Sequence, residues 1–131
     1  MQPIAITQGD PAGIGPEIVV KAFRDATDAL RHCFVVGDLA TVRRAADAIT
    51  RPGVPGVPVA QIGSPGEAGD APPRCIPVLQ LPGIPGPQPW GEISAAAGRA
   101  AADSVVWAAR AALRGDCLLY TSPSPRDKRQ S

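Results

Sequence analysis

The chain has 131 residues, a length that suits one modest domain, and 44% of them are hydrophobic, which is enough for a core and excludes wholesale disorder. Its 13 basic and 12 acidic side chains nearly cancel, and aromatic residues make up only 4%. A nearly neutral chain with few aromatic residues is not expected to bind nucleic acid or an anionic membrane surface.

Cysteine and histidine usage limits the chemistry that this chain can perform alone. Cys33, Cys75 and Cys117 are too far apart for a zinc or redox motif, and their odd number fits a reducing cytoplasm. The only histidine is His32, whereas a transition-metal site needs several converging ligands. The first residues lack the pattern of an export signal, and no apolar run approaches the roughly 18 residues of a membrane span. We therefore expect a cytoplasmic protein that builds no metal site from this chain.

Strands and helices alternate at the start of the chain. Apolar Pro3–Thr7 predicts a buried strand, and Pro16–Phe23 predicts a helix with its proline in the first turn. Cys33–Asp38 is a second apolar strand, and Leu39–Ile49 repeats apolar residues at helical spacing. This order predicts an α/β fold with a parallel sheet and right-handed crossovers.

The middle of the chain is rich in proline. Pro52–Pro89 holds eleven of the sixteen prolines and leaves two short apolar runs, Val57–Ile62 and Cys75–Leu81. Because proline cannot donate to a sheet ladder, these runs are predicted to be edge strands or extended loops.

The longest predicted helix spans Glu92–Arg114 and ends before Gly115. Charged residues form one stripe of this helix: Glu92, Arg99, Asp103, Arg110 and Arg114. The opposite, buried stripe is predicted to consist of small residues, which would let the helix approach its neighbours closely: Ala97, Ala101, Val105, Ala108 and Ala112. Gly98 lies inside the helix at a cost of about 1 kcal/mol relative to alanine, which indicates a packing role.

A glycine-rich loop, "QGDPAGIGPE" from Gln8 to Glu17, joins the first strand to the first helix. This arrangement can aim backbone N–H groups at an anion. However, Pro16 and Glu17 stand where a P-loop needs lysine and serine or threonine, and the dinucleotide fingerprint is incomplete. Asp10 and Glu17 would also repel a phosphate. Spacing alone therefore favours a tight turn, capped by Asp10, that packs strand against helix.

Two segments resemble the 4-hydroxythreonine-4-phosphate dehydrogenase family: "PIAITQGDPAGIGPEIVVKAF" and "GEISAAAGRAAADSVVWAARAALRGD". The resemblance covers about residues 1–116, the first third of such a protein. It implies a truncated, partial three-layer α/β/α sheet of the isocitrate/isopropylmalate dehydrogenase-like fold, and a homodimer. It also implies oxidation of 4-phosphohydroxy-L-threonine, followed by decarboxylation, in pyridoxal phosphate biosynthesis. The full-length parent would use NAD or NADP and a divalent metal held by histidines.

The resemblance assigns Gly9, Asp10, Gly13 and Gly15 to the interdomain cleft near the cofactor. Ser94 and Gly98 are secondary candidates for cleft or dimer packing. The family's metal-binding histidines, and its lysine, asparagine and arginine for the substrate phosphate, lie beyond residue 116. No catalytic or metal residue is therefore transferred, and His32 is interpreted as structural. The fragment itself is expected to be inactive and to bind no cofactor.

The end of the chain has a different character. Cys117–Asp127, "CLLYTSPSPRD", resembles one reading frame of a common transposase sequencing adaptor, translated residue for residue. We therefore predict that residues 117–131 are a non-native or disordered tail, and we give Ser122, Ser124 and Arg126 no function. A natural disordered tail is the alternative.

Two other functions are compatible with the sequence. Relatives with the same opening motif act on phosphorylated sugar acids, such as threonate or erythronate phosphate, and the residues that would discriminate lie downstream. A non-enzymatic binding module could instead use the proline-rich segment Pro52–Pro89 as a docking ligand.

Overall fold

The computed structural model describes residues 2–53, 56–72 and 74–119. These residues form a five-stranded sheet with parallel pairing throughout, in the order β3-β4-β2-β1-β5. The elements in chain order are β1 Ile4–Thr7, α1 Gly15–Asp25, β2 Cys33–Gly37, α2 Leu39–Ala48, β3 Val59–Ile62, a 3₁₀ helix Pro65–Asp70, β4 Ile76–Gln80, α3 Ala95–Leu113 and β5 Leu118–Leu119. The predicted alternation of strands and helices is confirmed.

Helices cover both faces of the sheet, because the central strands are apolar on both sides. In β2, Val35 belongs to the core cluster under α1 and α2, together with Val20 and Val42. The next residue, Val36, points to the opposite cluster, which includes Ala108 of α3. The predicted α/β/α layering therefore follows directly from a strand without polar residues.

The first two helices begin as their sequences predict. Pro16 occupies the first turn of α1, where a missing N–H breaks no bond, and Glu17 lies beside it. α2 is capped by Asp38, the residue predicted to end the second strand. The Asp38 Oδ2 atom accepts a hydrogen bond from the Thr41 N–H at 2.9 Å.

The two apolar runs of the proline-rich middle are both strands, but only one lies at an edge. β3 is an edge strand, as predicted, whereas β4 is internal and pairs with β3 and β2. The prediction of an edge strand or loop for Cys75–Leu81 is therefore wrong. This middle segment supplies two strands to the sheet, so the part that contains β3 and β4 belongs to the fold. A docking ligand in the rest of Pro52–Pro89 stays a prediction.

An internal strand tolerates Pro77 because of where its missing N–H would point. Ile76 donates its N–H to the Pro58 carbonyl of the chain leading into β3, at 2.9 Å. The nitrogen of Pro77 therefore faces the other way, toward β2, and the β2–β4 register begins one residue later, with Val78 opposite Val35. Proline is thus confined to the beginning of the strand, where it removes no bond of the described ladder.

α3 begins at Ala95, three residues after the predicted start, because Ser94 caps it: the Ser94 Oγ accepts from the Ala97 N–H at 3.1 Å. Its buried face also differs from the prediction and consists of Ala97, Ala100, Ser104, Ala108 and Ala111. Val105, expected to be buried, is 50% exposed. Ser104 takes the buried position because its hydroxyl donates to the Ala100 carbonyl at 3.0 Å, which satisfies it within the helix.

The fold continues past residue 116, the end of the predicted native part. Cys117 is buried, and Leu118 and Leu119 pair with Ile4 and Ala5 of β1. A foreign origin for residues 117–131 stays a prediction, and residues 120–131 lie outside the described part of the chain. Among the described residues, no helix has the length and apolarity needed to cross a bilayer.

Candidate functional site

The sheet has a topological switch point beside β1. α1 leaves β1 toward β2 and packs on one face, whereas α3 leads to β5, on the other side of β1, and packs on the opposite face. In open α/β sheets, ligands bind in the crevice that such a divergence leaves outside the carboxyl ends of the strands. The loop directly after β1 stands at this crevice, so the topology points to Gln8–Ile14 independently of any motif.

The loop is shaped by its own aspartate. The Asp10 Oδ1 accepts from the Ala12 N–H at 2.8 Å, and the Asp10 carbonyl accepts from the Gly13 N–H at 3.0 Å. Asp10 therefore caps the turn, as predicted, and its carboxylate remains exposed. The residue that precedes α1, Ile14, makes no side-chain cap.

The local geometry favours glycine at two of the three loop glycines. Gly9 has a φ of 79°, in the left-handed region that side chains disfavour. A Cβ on Gly15 would lie 3.0 Å from the Gln8 carbonyl oxygen, a tight contact that would require this backbone to shift by a few tenths of an ångström. A Cβ on Gly13 would meet Asp10 at 3.6 Å, an ordinary contact. Gly9 and Gly15 therefore bring bare backbone to the mouth of the crevice.

Gln8 lies directly beneath this loop, and no sequence pattern indicates a role for it. Its side chain is fully buried, and its Oε1 accepts from the Asp38 N–H at 2.9 Å. The side chain rests on Gly37, where any Cβ would collide with it. The Gln8 Nε2 has no hydrogen-bond partner among the described residues. The sequence held one sign of this close contact: Gly37 ends a strand whose other residues are all larger and apolar.

A polar network joins the carboxyl ends of three strands behind the loop. Besides capping α2, Asp38 accepts through Oδ1 from the Gln80 Nε2 at 3.1 Å. The Gln80 Oε1 in turn accepts from the Leu39 N–H at 2.7 Å. With Gln8, these contacts connect the carboxyl ends of β1, β2 and β4, so the network rigidifies the end of the sheet that supports the loop.

An apolar groove of about 820 Å³ runs along β1 and α1 and ends at the loop. Its walls include Ile6, Ile18 and Leu119, with Val105 of α3 at the rim. Its polar end is formed by Gln8, Gly9 and Gly15, an arrangement typical of ligand sites that combine apolar walls with a few polar groups.

The structure separates the other candidate residues from this site. His32 precedes β2, at the amino ends of the strands and therefore away from the loop. Its carbonyl accepts from the Ile4 N–H at 2.9 Å. Ser94 caps α3, and Gly98 is exposed with nothing within 4 Å of an added Cβ. None of these three residues lines the groove.

The described residues offer neither a metal site nor an activated thiol. No three of their His, Cys, Asp and Glu side chains are grouped closely enough to hold an ion. Burial raises the pKa of the thiols of Cys33, Cys75 and Cys117, so none is a reactive thiolate at neutral pH.

Comparison with known proteins decides the family, although no protein-family model matches the chain. A 4-hydroxythreonine-4-phosphate dehydrogenase from Trichlorobacter lovleyi is 41% identical over 81 residues, which cover 60% of this chain and 22% of that protein. The crystal structure of the 4-hydroxythreonine-4-phosphate dehydrogenase from Klebsiella pneumoniae matches with a TM-score of 0.77 and 31% identity, over 99% of this chain and 39% of that one. The chain belongs to the 4-hydroxythreonine-4-phosphate dehydrogenase family.

The chain is also similar to proteins named for a different substrate. A D-threonate 4-phosphate dehydrogenase from Salmonella typhimurium is 43% identical over 125 residues, covering 92% of this chain and 36% of that protein. The resemblance and the parallel α/β fold predicted from it are thus confirmed. The chain spans 22% to 39% of the length of these 4-hydroxythreonine-4-phosphate and D-threonate 4-phosphate dehydrogenases.

Proposed function

We propose that this chain forms the first strand–helix units of a dehydrogenase that oxidises 4-phosphohydroxy-L-threonine with NAD or NADP. Oxidation of the secondary alcohol precedes loss of carbon dioxide, in the pathway to pyridoxal phosphate. One observation carries the proposal: the glycine loop, which resembles the opening motif of the family, follows β1 where α1 and α3 diverge to opposite faces of the sheet, the place where α/β sheets bind ligands.

The loop supports this function by giving a ligand access to backbone. In the proposal, Gly9, Asp10, Gly13 and Gly15 face the cofactor across a cleft. Both glycines expose bare backbone at the loop: the left-handed backbone of Gly9 disfavours a side chain, and a Cβ on Gly15 would be crowded by the Gln8 carbonyl oxygen. Asp10 adds an exposed negative charge, so this loop suits the uncharged parts of a cofactor better than its phosphates.

The divalent metal implied by the family does not fit the described residues, which group no set of ligands around an ion. We therefore assign metal binding and the reacting centre to residues outside this chain, and we expect the chain alone to be inactive and to bind no cofactor. A homodimer and a cytoplasmic location are part of the same proposal. They are supported by exposed apolar residues such as Ile93 and Leu113, and by three cysteines without disulfides.

The second candidate function is the oxidation of D-threonate 4-phosphate. The relative named for that activity is 43% identical over 92% of this chain, a longer match than the one with the Trichlorobacter protein. Both substrates are phosphorylated hydroxy acids, so the chemistry proposed for the loop is the same in either case.

The experiment is to recover the native gene and to assay the full-length protein with each of the two phosphates, by following the absorbance of the reduced nicotinamide. Turnover of 4-phosphohydroxy-L-threonine supports the main proposal, and a clear preference for D-threonate 4-phosphate replaces it with the second. A native open reading frame that ends at residue 131, or a full-length protein that oxidises neither compound, would refute both.

A further inference from the structure

The glycine loop is held by two outside donors, which bond to two neighbouring carbonyl groups of the loop. The Arg44 Nη2, from α2, donates to the Pro11 carbonyl at 2.8 Å across 33 residues. The Gly91 N–H, from the segment before α3, donates to the Ala12 carbonyl at 2.7 Å. Two distant parts of the chain thus converge on the two residues at the centre of the loop.

Trp90 joins these two contacts into one unit. The Arg44 Cζ lies 4.7 Å from the centroid of the Trp90 ring, a cation–π distance, and Trp90 immediately precedes Gly91. The Arg44 Nε is buried and has no partner among the described residues. A buried N–H without a partner is unfavourable. The bond to the Pro11 carbonyl and the contact with the Trp90 ring offset this cost and keep the guanidinium in place.

Packing holds only part of the loop: Pro11 and Ala12 are buried, but the loop also borders an open space. A cavity of about 170 Å³ lies between the loop and its support and is lined by Gly13, Glu17, Arg44 and Trp90. A loop beside an open space can shift unless directed bonds hold it. The hydrogen bonds from Arg44 and Gly91 to the loop carbonyls are directed in this way.

We propose that Arg44 is a positioning residue of the enzyme, and that it acts through a latch formed by Arg44, Trp90 and Gly91. The latch holds the Pro11 and Ala12 carbonyls and thereby sets the position of the glycine loop. The part of the inference that concerns the cofactor rests on the proposed function, whereas the hold on the loop does not. Arg44 itself contacts loop and ring, not the ligand.

The first experiment measures amide hydrogen exchange in the 131-residue chain. In Arg44→Met, the Gly91 and Gly13 amides are expected to exchange about tenfold faster, since a hydrogen bond from a charged group is lost. The Val35 amide in the centre of the sheet keeps its wild-type rate. Arg44→Lys rescues only part of the protection, because lysine can reach a carbonyl but lacks the planar guanidinium. The matched control is Arg43→Met, at an exposed neighbour on α2.

The outcomes separate a latch from general destabilisation. Equal rates in the Arg44 and Arg43 variants, or equal acceleration of Gly91 and Val35, would overturn the proposal. If Arg44→Met does not fold, Trp90→Ala and Arg44→Lys carry the same comparison, because each weakens the contact between residue 44 and the ring but keeps a donor for the Pro11 carbonyl.

The second experiment tests the consequence in the full-length enzyme. Arg44→Met is expected to raise the KM for NAD several-fold with little change in kcat, and Arg44→Lys to lie between the two. An unchanged KM despite faster loop exchange contradicts a positioning role. A full-length protein without any dehydrogenase activity refutes the proposed function, and the exchange rates then decide the latch by themselves.

Discussion

The side chain of Gln8 and the backbone of Asp38 are joined by a buried hydrogen bond of 2.9 Å, from the Asp38 N–H to the Gln8 Oε1. This bond links the carboxyl end of β1 to the residue that caps α2. It exists only because Gly37 has no side chain, since a Cβ there would occupy the space of the Gln8 amide. The start of the glycine loop and the start of α2 therefore depend on one another.

Gly37→Ala is expected to lower the free energy of unfolding by about 1–3 kcal/mol, because the added methyl overpacks a fully buried site and displaces Gln8 from Asp38. Urea unfolding measures the loss. Gly66→Ala is the matched control, since an added Cβ there meets nothing within 4 Å. The double variant Gln8→Ala/Gly37→Ala should lose less than the sum of the two single changes, because the clash is gone. Additive losses would show that the two residues do not interact.

The loop glycines should respond unequally to alanine. Gly9→Ala forces a side chain into the left-handed region and is expected to cost about 1–2 kcal/mol. Gly15→Ala places its methyl against the Gln8 carbonyl, so it is expected to destabilise as well, whereas Gly13→Ala meets only an ordinary contact and changes little. Comparing the urea midpoints of the three variants tests this order. A Gly13 variant as unstable as the Gly9 variant would contradict the loop geometry.

The sequence predicted those parts of the fold that local patterns determine. β1, β2 and their helices follow from continuous apolar runs and a proline in a first turn. The internal position of β4 was missed, because whether the nitrogen of Pro77 faces a ladder depends on strand phase, which composition does not encode. The buried face of α3 was misplaced, because the internal bond of Ser104 makes a polar residue suitable for the core.

The candidate site was predictable only in part, for a similar reason. The glycine-rich motif predicts backbone that side chains would disturb, and the geometry of Gly9 and Gly15 agrees with that prediction. Gln8 and Arg44 act through partners 30 and 33 residues away, so no local pattern distinguishes them from ordinary polar residues. Contacts of this kind become visible only when the strands are placed side by side.

Gly98→Ala tests the packing role predicted from the sequence for this residue. Gly98 lies exposed within α3, and an added Cβ meets nothing there. Alanine should therefore stabilise the chain by about 0.5–1 kcal/mol, through a lower entropy of the unfolded state and a better helix propensity. Thermal unfolding of the 131-residue chain provides the measurement. A decrease in stability would show that Gly98 packs against a surface that the described residues do not include.

Alkaline pH should destabilise the fold through its buried cysteines. Burial raises the pKa of the thiols of Cys33, Cys75 and Cys117, so the folded state keeps protons that an unfolded cysteine loses above about pH 8.5. Their contribution is fully present below that pH and is lost as the pH rises through the higher pKa of the folded thiols. Each thiol then lowers the free energy of unfolding by up to about 1.4 kcal/mol per pH unit.

Cys75→Ser isolates this effect, because its hydroxyl does not titrate in this range. Urea unfolding between about pH 8 and 10 should give a shallower decline for the variant than for the wild type. The difference is expected whatever the variant's stability at neutral pH, since only the slope reports the thiol. Identical slopes would mean that the Cys75 thiol ionises equally well in the folded and unfolded states, and that its burial is not maintained in solution.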